Sequence, residues 1–187
     1  MPNSLEIPKL DPAPAALQLG QEISTAALMG GQLFGRLAMG PALRRLSDKR
    51  ERGKLLNASW RRYGTVNSAA LATLVGTWIP LRQAELDRRF LSRTDRTLIL
   101  AKDVTVGTVA VTGLISAAGG VAFASEEPDG AVPVESGSQP APETPGRAAR
   151  LKRLVNSIGA INLGSELALV AVNVALHQRQ VNRRVRV

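Results

Sequence analysis

Two runs of this chain hold no acidic or basic residue at all: Tyr63 to Leu81 and Val104 to Ser125. Two more come close. Between Pro12 and Gly35 the only charge is Glu22, and between Leu154 and Gln178 it is Glu166. A hydrocarbon layer about 30 Å thick is crossed by roughly 20 apolar residues of helix, and each run is of that order. A soluble helix bundle would instead carry charge along one face of every helix at a 3.6-residue period. The pattern therefore predicts an all-α integral membrane protein. Its four spans would lie at about 15–43, 63–81, 98–124 and 154–176, arranged as an up-down transmembrane bundle.

Composition alone would not suggest this, since a mean hydropathy of zero and 44% hydrophobic residues suit a soluble protein equally well. The averages mix apolar runs with loops that hold nearly all the charge. Of 24 Lys and Arg, only Arg36 and Lys102 fall within the expected spans. The net charge of +9 reads as loops facing anionic headgroups in the cytoplasmic membrane of a bacterium, a source suggested by the richness in Ala, Arg and Gly. Nucleic acid is not expected as a partner. The basic cluster Arg44 to Arg62 lacks the interleaved aromatics and motifs of such proteins. The absence of cysteine excludes disulfides, thiolate metal sites and cysteine nucleophiles. No cleavable signal is read in the first residues, so the first span is expected to remain.

Along the chain, Ala27, Gly31 and Gly35 form a small-residue stripe on the first span, and Gly64, Ser68, Ala72 and Gly76 form another on the second. The basic segment 44–62 between them reads as a short helix lying at the interface. Pro80 is expected to close the second span. The segment SEEPDGAVPVESGSQPAPETPGR, with five prolines and five acidic residues from Ser125 to Arg147, reads as a mobile loop.

Loop charge gives no clear orientation, because the loops on one side of a four-span arrangement would hold twelve Lys and Arg against ten on the other. An internal repeat favours four spans over three. GTVNSAALATLV from Gly64 aligns with GAINLGSELALV from Gly159, and GQEISTAALMGGQLF from Gly20 with AKDVTVGTVAVTGLI from Ala101. The alignment pairs Asn67 with Asn162 and Glu22 with Asp103, as a duplicated two-helix unit would.

Polar residues inside the spans are the candidates for chemistry, because ionisable groups there are costly and tend to face the bundle interior or water. Glu22, Asp103 and His177 are expected at similar depth near one end. As a cluster they could form a catalytic, proton-accepting or metal-binding site. Their alternative reading is a set of separately paired or solvated side chains. Asn67 and Asn162 read as interhelical amide hydrogen bonds, and Glu166 as a structural ion pair with Arg36. No cofactor motif is present.

Phe34 to Arg62, FGRLAMGPALRRLSDKRERGKLLNASWRR, resembles the region after the first helix in small four-helix membrane proteins of the anthrone-oxygenase-like group. There too a small-residue helix runs into a Pro-x-Leu turn and a basic connection. The resemblance implies four helices and assigns no catalytic residue. The leading functional expectation is a non-enzymatic packing or accessory role in the lipid bilayer, as a homo-oligomer or within a larger membrane complex. The alternatives are a membrane enzyme or carrier for a small apolar substrate, using Glu22, Asp103 and His177, and a soluble cationic binding protein.

Overall fold

The computed structural model describes residues 12–86 and 91–184, and within them the chain is all-helical. Four long helices run up and down: α1 (Pro12–Phe34), α2 (Lys49–Leu86), α3 (Arg93–Ala124) and α4 (Gly146–Arg184). After α1 the chain passes through a π-helical turn, Gly35–Met39, and a short helical turn, Gly40–Leu43, before bending back at 44–48. Asp48 starts α2 by accepting the Arg50 backbone N–H at 2.7 Å. Ser92 and Asp95 start α3 with a reciprocal capping box. Residues 1–11, 87–90 and 185–187 lie outside the described residues, and with them the N-terminal segment, part of the second connection and the end of the basic tail.

The helices pair as two hairpins, α1 with α2 and α3 with α4, and the contact inside each hairpin is broader than any contact between them. Small residues permit the close approach within hairpins. A Cβ at Gly31 would lie 2.2 Å from the Tyr63 ring, one at Gly35 2.6 Å from Trp60, and one at Gly119 2.7 Å from Val155. Leu28, Ala70, Leu74, Val106, Val109 and Leu169 form the core where the two hairpins meet.

Three expectations are corrected here. Segment 44–62 is not a separate interfacial helix; from Lys49 it belongs to α2, which runs 38 residues without a break. Pro80 does not close α2, which continues to Leu86. And the segment read as a mobile loop is packed over 125–145. Val132, Val134, Ala131, Ala141 and Thr144 are buried, and Val132 and Val134 join Leu43, Leu56, Phe123 and Ala148 in a second core. Two local features make this possible. A run of short apolar residues alternates with prolines that reduce the entropy lost on ordering, and the acidic residues meet the basic start of α2. Lys49 pairs with Glu135 and Glu143, Arg50 with Glu127, and Arg147 with Glu126. Arg52 donates to the backbone carbonyls of Leu46 and Glu135 at 2.8 and 3.0 Å, and Asn57 donates to Gly130 O at 2.7 Å. The start of α2, this loop and the first two turns of α4 thus form a charged cap on one end of the bundle.

The expectation of four apolar spans is met only in part. Over the described residues, α3 and α4 are long and apolar enough to cross a membrane; α1 and α2 are not. Gln18, Gln21, Gln32, Thr65, Asn67, Thr73 and Thr77 dilute runs that carry little charge yet are not strongly apolar.

Candidate functional site

The two hairpins meet along polar seams. On the α2–α3 side, Trp78 Nε1 and Arg82 Nε both donate to the Asp103 carboxylate at 2.8 Å, and Lys102 Nζ donates to Glu85 Oε1 at 2.9 Å in a buried pair. On the α1–α4 side, Asn173 Nδ2 donates to Glu22 Oε1 at 3.0 Å, Gln32 Nε2 donates to Asn162 Oδ1 at 2.8 Å, and Arg36 Nη2 donates to the Asn156 carbonyl at 3.4 Å. The spacing explains why these residues meet. Gln21, Thr25, Leu28 and Gln32 recur on one face of α1, and Asn162, Glu166, Leu169 and Asn173 on one face of α4.

Asn162 is fully engaged. Besides accepting from Gln32, its Nδ2 donates to Val109 O at 3.0 Å and to Thr112 Oγ1 at 2.7 Å. The expectation of an interhelical amide is met at Asn162, while its repeat counterpart Asn67 is only half-buried. Glu166 is different. It is 1% exposed, and neither of its carboxyl oxygens has a hydrogen-bond partner among the described residues. Arg36 does not pair with it as expected, because Arg36 is exposed beyond the next turn of α4 and bonded to Asn156. Gln21 Nε2 and Asn173 Oδ1 are likewise buried without partners among the described residues.

Glu22, Asp103 and His177 are not brought together. Glu22 is exposed at the edge of α1 against Asn173, Asp103 turns toward α2, and His177 is exposed on α4. Similar depth did not imply a shared direction: on α1 the inward position belongs to Gln21, not Glu22. Among the described residues, no group of three or more His, Asp or Glu could hold a metal ion. The expected stripe Gly64, Ser68, Ala72, Gly76 faces outward, with no atom within 4 Å of a Cβ built at Gly64 or Gly76.

In the cap, electrostatics follow from the acidic loop on the basic helix start. Glu143 is held below the usual carboxylate range by its own backbone N–H and then by Lys49, and Lys49 is raised, first by its hydrogen bond to Glu143. Lys152 is buried with its Nζ 5.3 Å from the Phe123 ring centroid, and burial pushes its ammonium down to about 8. Comparison of the chain with family models, curated proteins and solved structures found no match.

Proposed function

We propose that this is a four-helix integral membrane protein with a non-enzymatic packing or accessory role. One observation carries the reading: around its apolar core the bundle buries many polar side chains and exposes many large apolar ones. Leu19, Ile23, Phe34, Val66, Ile79, Leu100, Val104, Val111, Leu114, Val121, Ile161, Leu167 and Val174 are exposed, while Gln21, Ser24, Thr25, Lys102, Thr112, Asn162 and Glu166 are buried. Only 22% of the apolar stretch of α3, and the same share of α4, is buried inside the chain. The core helix of a soluble protein would be mostly buried. Lipid supplies the missing cover for these faces, and the long helices give the polar backbone internal partners throughout.

Extent agrees with this. The uncharged stretch of α2 between Arg62 and Arg82 spans roughly 30 Å at 1.5 Å per residue, which matches a hydrocarbon layer. The 14 residues of α2 before Tyr63 then stand in water as part of the cap. The outward stripe Gly64, Ser68, Ala72, Gly76 suits close contact with a helix of a second copy or of another membrane protein.

Flotation of the chain with phosphatidylcholine–phosphatidylglycerol vesicles, resistant to alkaline carbonate, tests the membrane reading; recovery in the soluble fraction refutes it. Arg45→Cys and Gln139→Cys should react with an impermeant maleimide from one side of sealed vesicles, and Gln178→Cys from the other. Oxidative cross-linking of Ala72→Cys in the same vesicles reports self-association.

A further inference from the structure

The α1–α4 seam is asymmetric about Glu166. Toward the cap it is closed by Asn162, whose amide oxygen and nitrogen are both engaged with Gln32, Val109 and Thr112. Toward the opposite end the polar atoms are unsatisfied: both oxygens of Glu166, then Asn173 Oδ1 and Gln21 Nε2. That run ends at Glu22, which is exposed. A carboxylate buried without a donor or a cation is far less favourable than the neutral acid. Among the described residues, no countercharge faces it. On α1, Glu22 is bonded to Asn173, and in the π-helical turn Arg36 is bonded to Asn156; on α3, Lys102 is paired with Glu85 and Asp103 with Arg82. On α2 there is no Asp, Glu, Lys or Arg from Tyr63 to Leu81, and Tyr63 donates to Ala27 O. On α4, Arg179 is paired with Asp95.

We propose that Glu166 is a proton-binding site inside the bundle, loaded as the neutral acid and reached from the Glu22 end of the seam between α1 and α4. The inference rests on the membrane reading above. The exchange is a simple acid–base step. The Glu166 O–H bond breaks, the proton passes to water entering past Asn173 and Gln21, and the carboxylate left behind is reprotonated by the same route. The geometry favours parting of the two hairpins, which meet less broadly than the helices within each, over opening of either hairpin.

Infrared spectroscopy of the protein in phosphatidylcholine–phosphatidylglycerol vesicles, after flotation has shown that it is inserted, tests this. The expected result is a C=O band of a protonated carboxyl at neutral pH, shifted in heavy water and lost in Glu166→Gln. Asn173→Leu and Gln21→Leu should slow the heavy-water shift, and Ser116→Ala should not. Absence of the band in inserted wild-type protein, or its persistence in Glu166→Gln, overturns the site; equal exchange in all variants overturns the route. Should Glu166→Gln fail to fold, dicyclohexylcarbodiimide treatment of the wild type decides. An N-acylurea on the peptide containing Glu166 supports the proposal, and adducts confined to Glu22 or Asp103 overturn it. Failure of flotation would instead refute the membrane reading itself.

Discussion

In the cap, Leu43, Leu56, Val132 and Val134 are buried while Lys49, Arg50, Glu127 and Glu143 form ion pairs around them; in the bundle, Gln21, Asn162 and Glu166 are buried while Val111, Leu114 and Val121 lie outside. The same three long helices, α2, α3 and α4, take part in both regions. What differs is the surrounding medium that each pattern suits. Burial of apolar side chains organises the cap as water requires, whereas the bundle, beside its apolar core, buries polar side chains and turns large apolar ones outward, a pattern that lipid would accommodate. On the membrane reading proposed above, a single helix would satisfy two solvents along its length. Averages over the chain therefore conceal both.

The sharpest way to break the contrast in the cap is Gly53→Ala. The added Cβ would lie 1.9 Å from the Val132 carbonyl oxygen, a backbone atom that cannot yield without undocking the loop. Loss of about 3 kcal/mol or more is expected, read as rapid proteolysis within 125–145 while α3 and α4 stay protected.

In the bundle the matching test is Val111→Lys. Val111 is 57% exposed near the middle of α3. On a water-facing surface this change would be nearly neutral, but facing lipid it should cost about 3 kcal/mol. The inserted fraction in vesicles measures it, and an unchanged fraction would erase the distinction between the two regions.

Lys152 sharpens the comparison from the other direction, since it is a cation buried on the cap side. Its ammonium is lowered from 10.5 to about 8. Lys152→Met should stabilise the cap by about 2 kcal/mol at neutral pH, the burial penalty less the ring contact. The unfolded chain binds more protons than the folded one between the two values, so wild-type stability should rise as pH increases from about 8 toward 10. Thermal unfolding of the variant should be flat over that range. The smallest effect is expected at His177→Ala, below about 0.5 kcal/mol and without change in vesicle association, because the side chain is exposed.

The four helices were legible because uncharged runs of that length are a local property of the sequence. The small-residue stripe Ala27, Gly31, Gly35 was legible too, and Gly31 and Gly35 do face aromatic rings. The cap was not. Its stability depends on Glu127, Glu135 and Glu143 finding Arg50, Arg52 and Lys49 across some 80 residues, and no periodicity records such a pairing. Glu22, Asp103 and His177 misled because depth along a helix says nothing of azimuth. One residue, from Glu22 to Gln21, separates the exposed position from the buried one. Glu166 was visible as the one acid in an otherwise uncharged run, but its lack of a partner among the described residues is a property of three neighbouring helices.

The π-helical turn at Gly35–Met39 fits one more residue into its length than α-helix would, closed by the Gly40 N–H on Gly35 O. One extra residue rotates everything after it by about 100° about the helix axis. Before the turn, the inward face of α1 presents Gln21, Thr25, Leu28 and Gln32 to the seam; after it, Gly40 lies against Gly137 and Leu43 enters the cap core. The chain changes from one rule of burial to the other by winding, without breaking the helix. Removing one residue from 36–38 would carry the azimuth of the seam straight on and turn Leu43 away from Val132 and Val134, leaving the acidic loop its charge pairs and a core reduced to Leu56, Phe123 and Ala148 to close over.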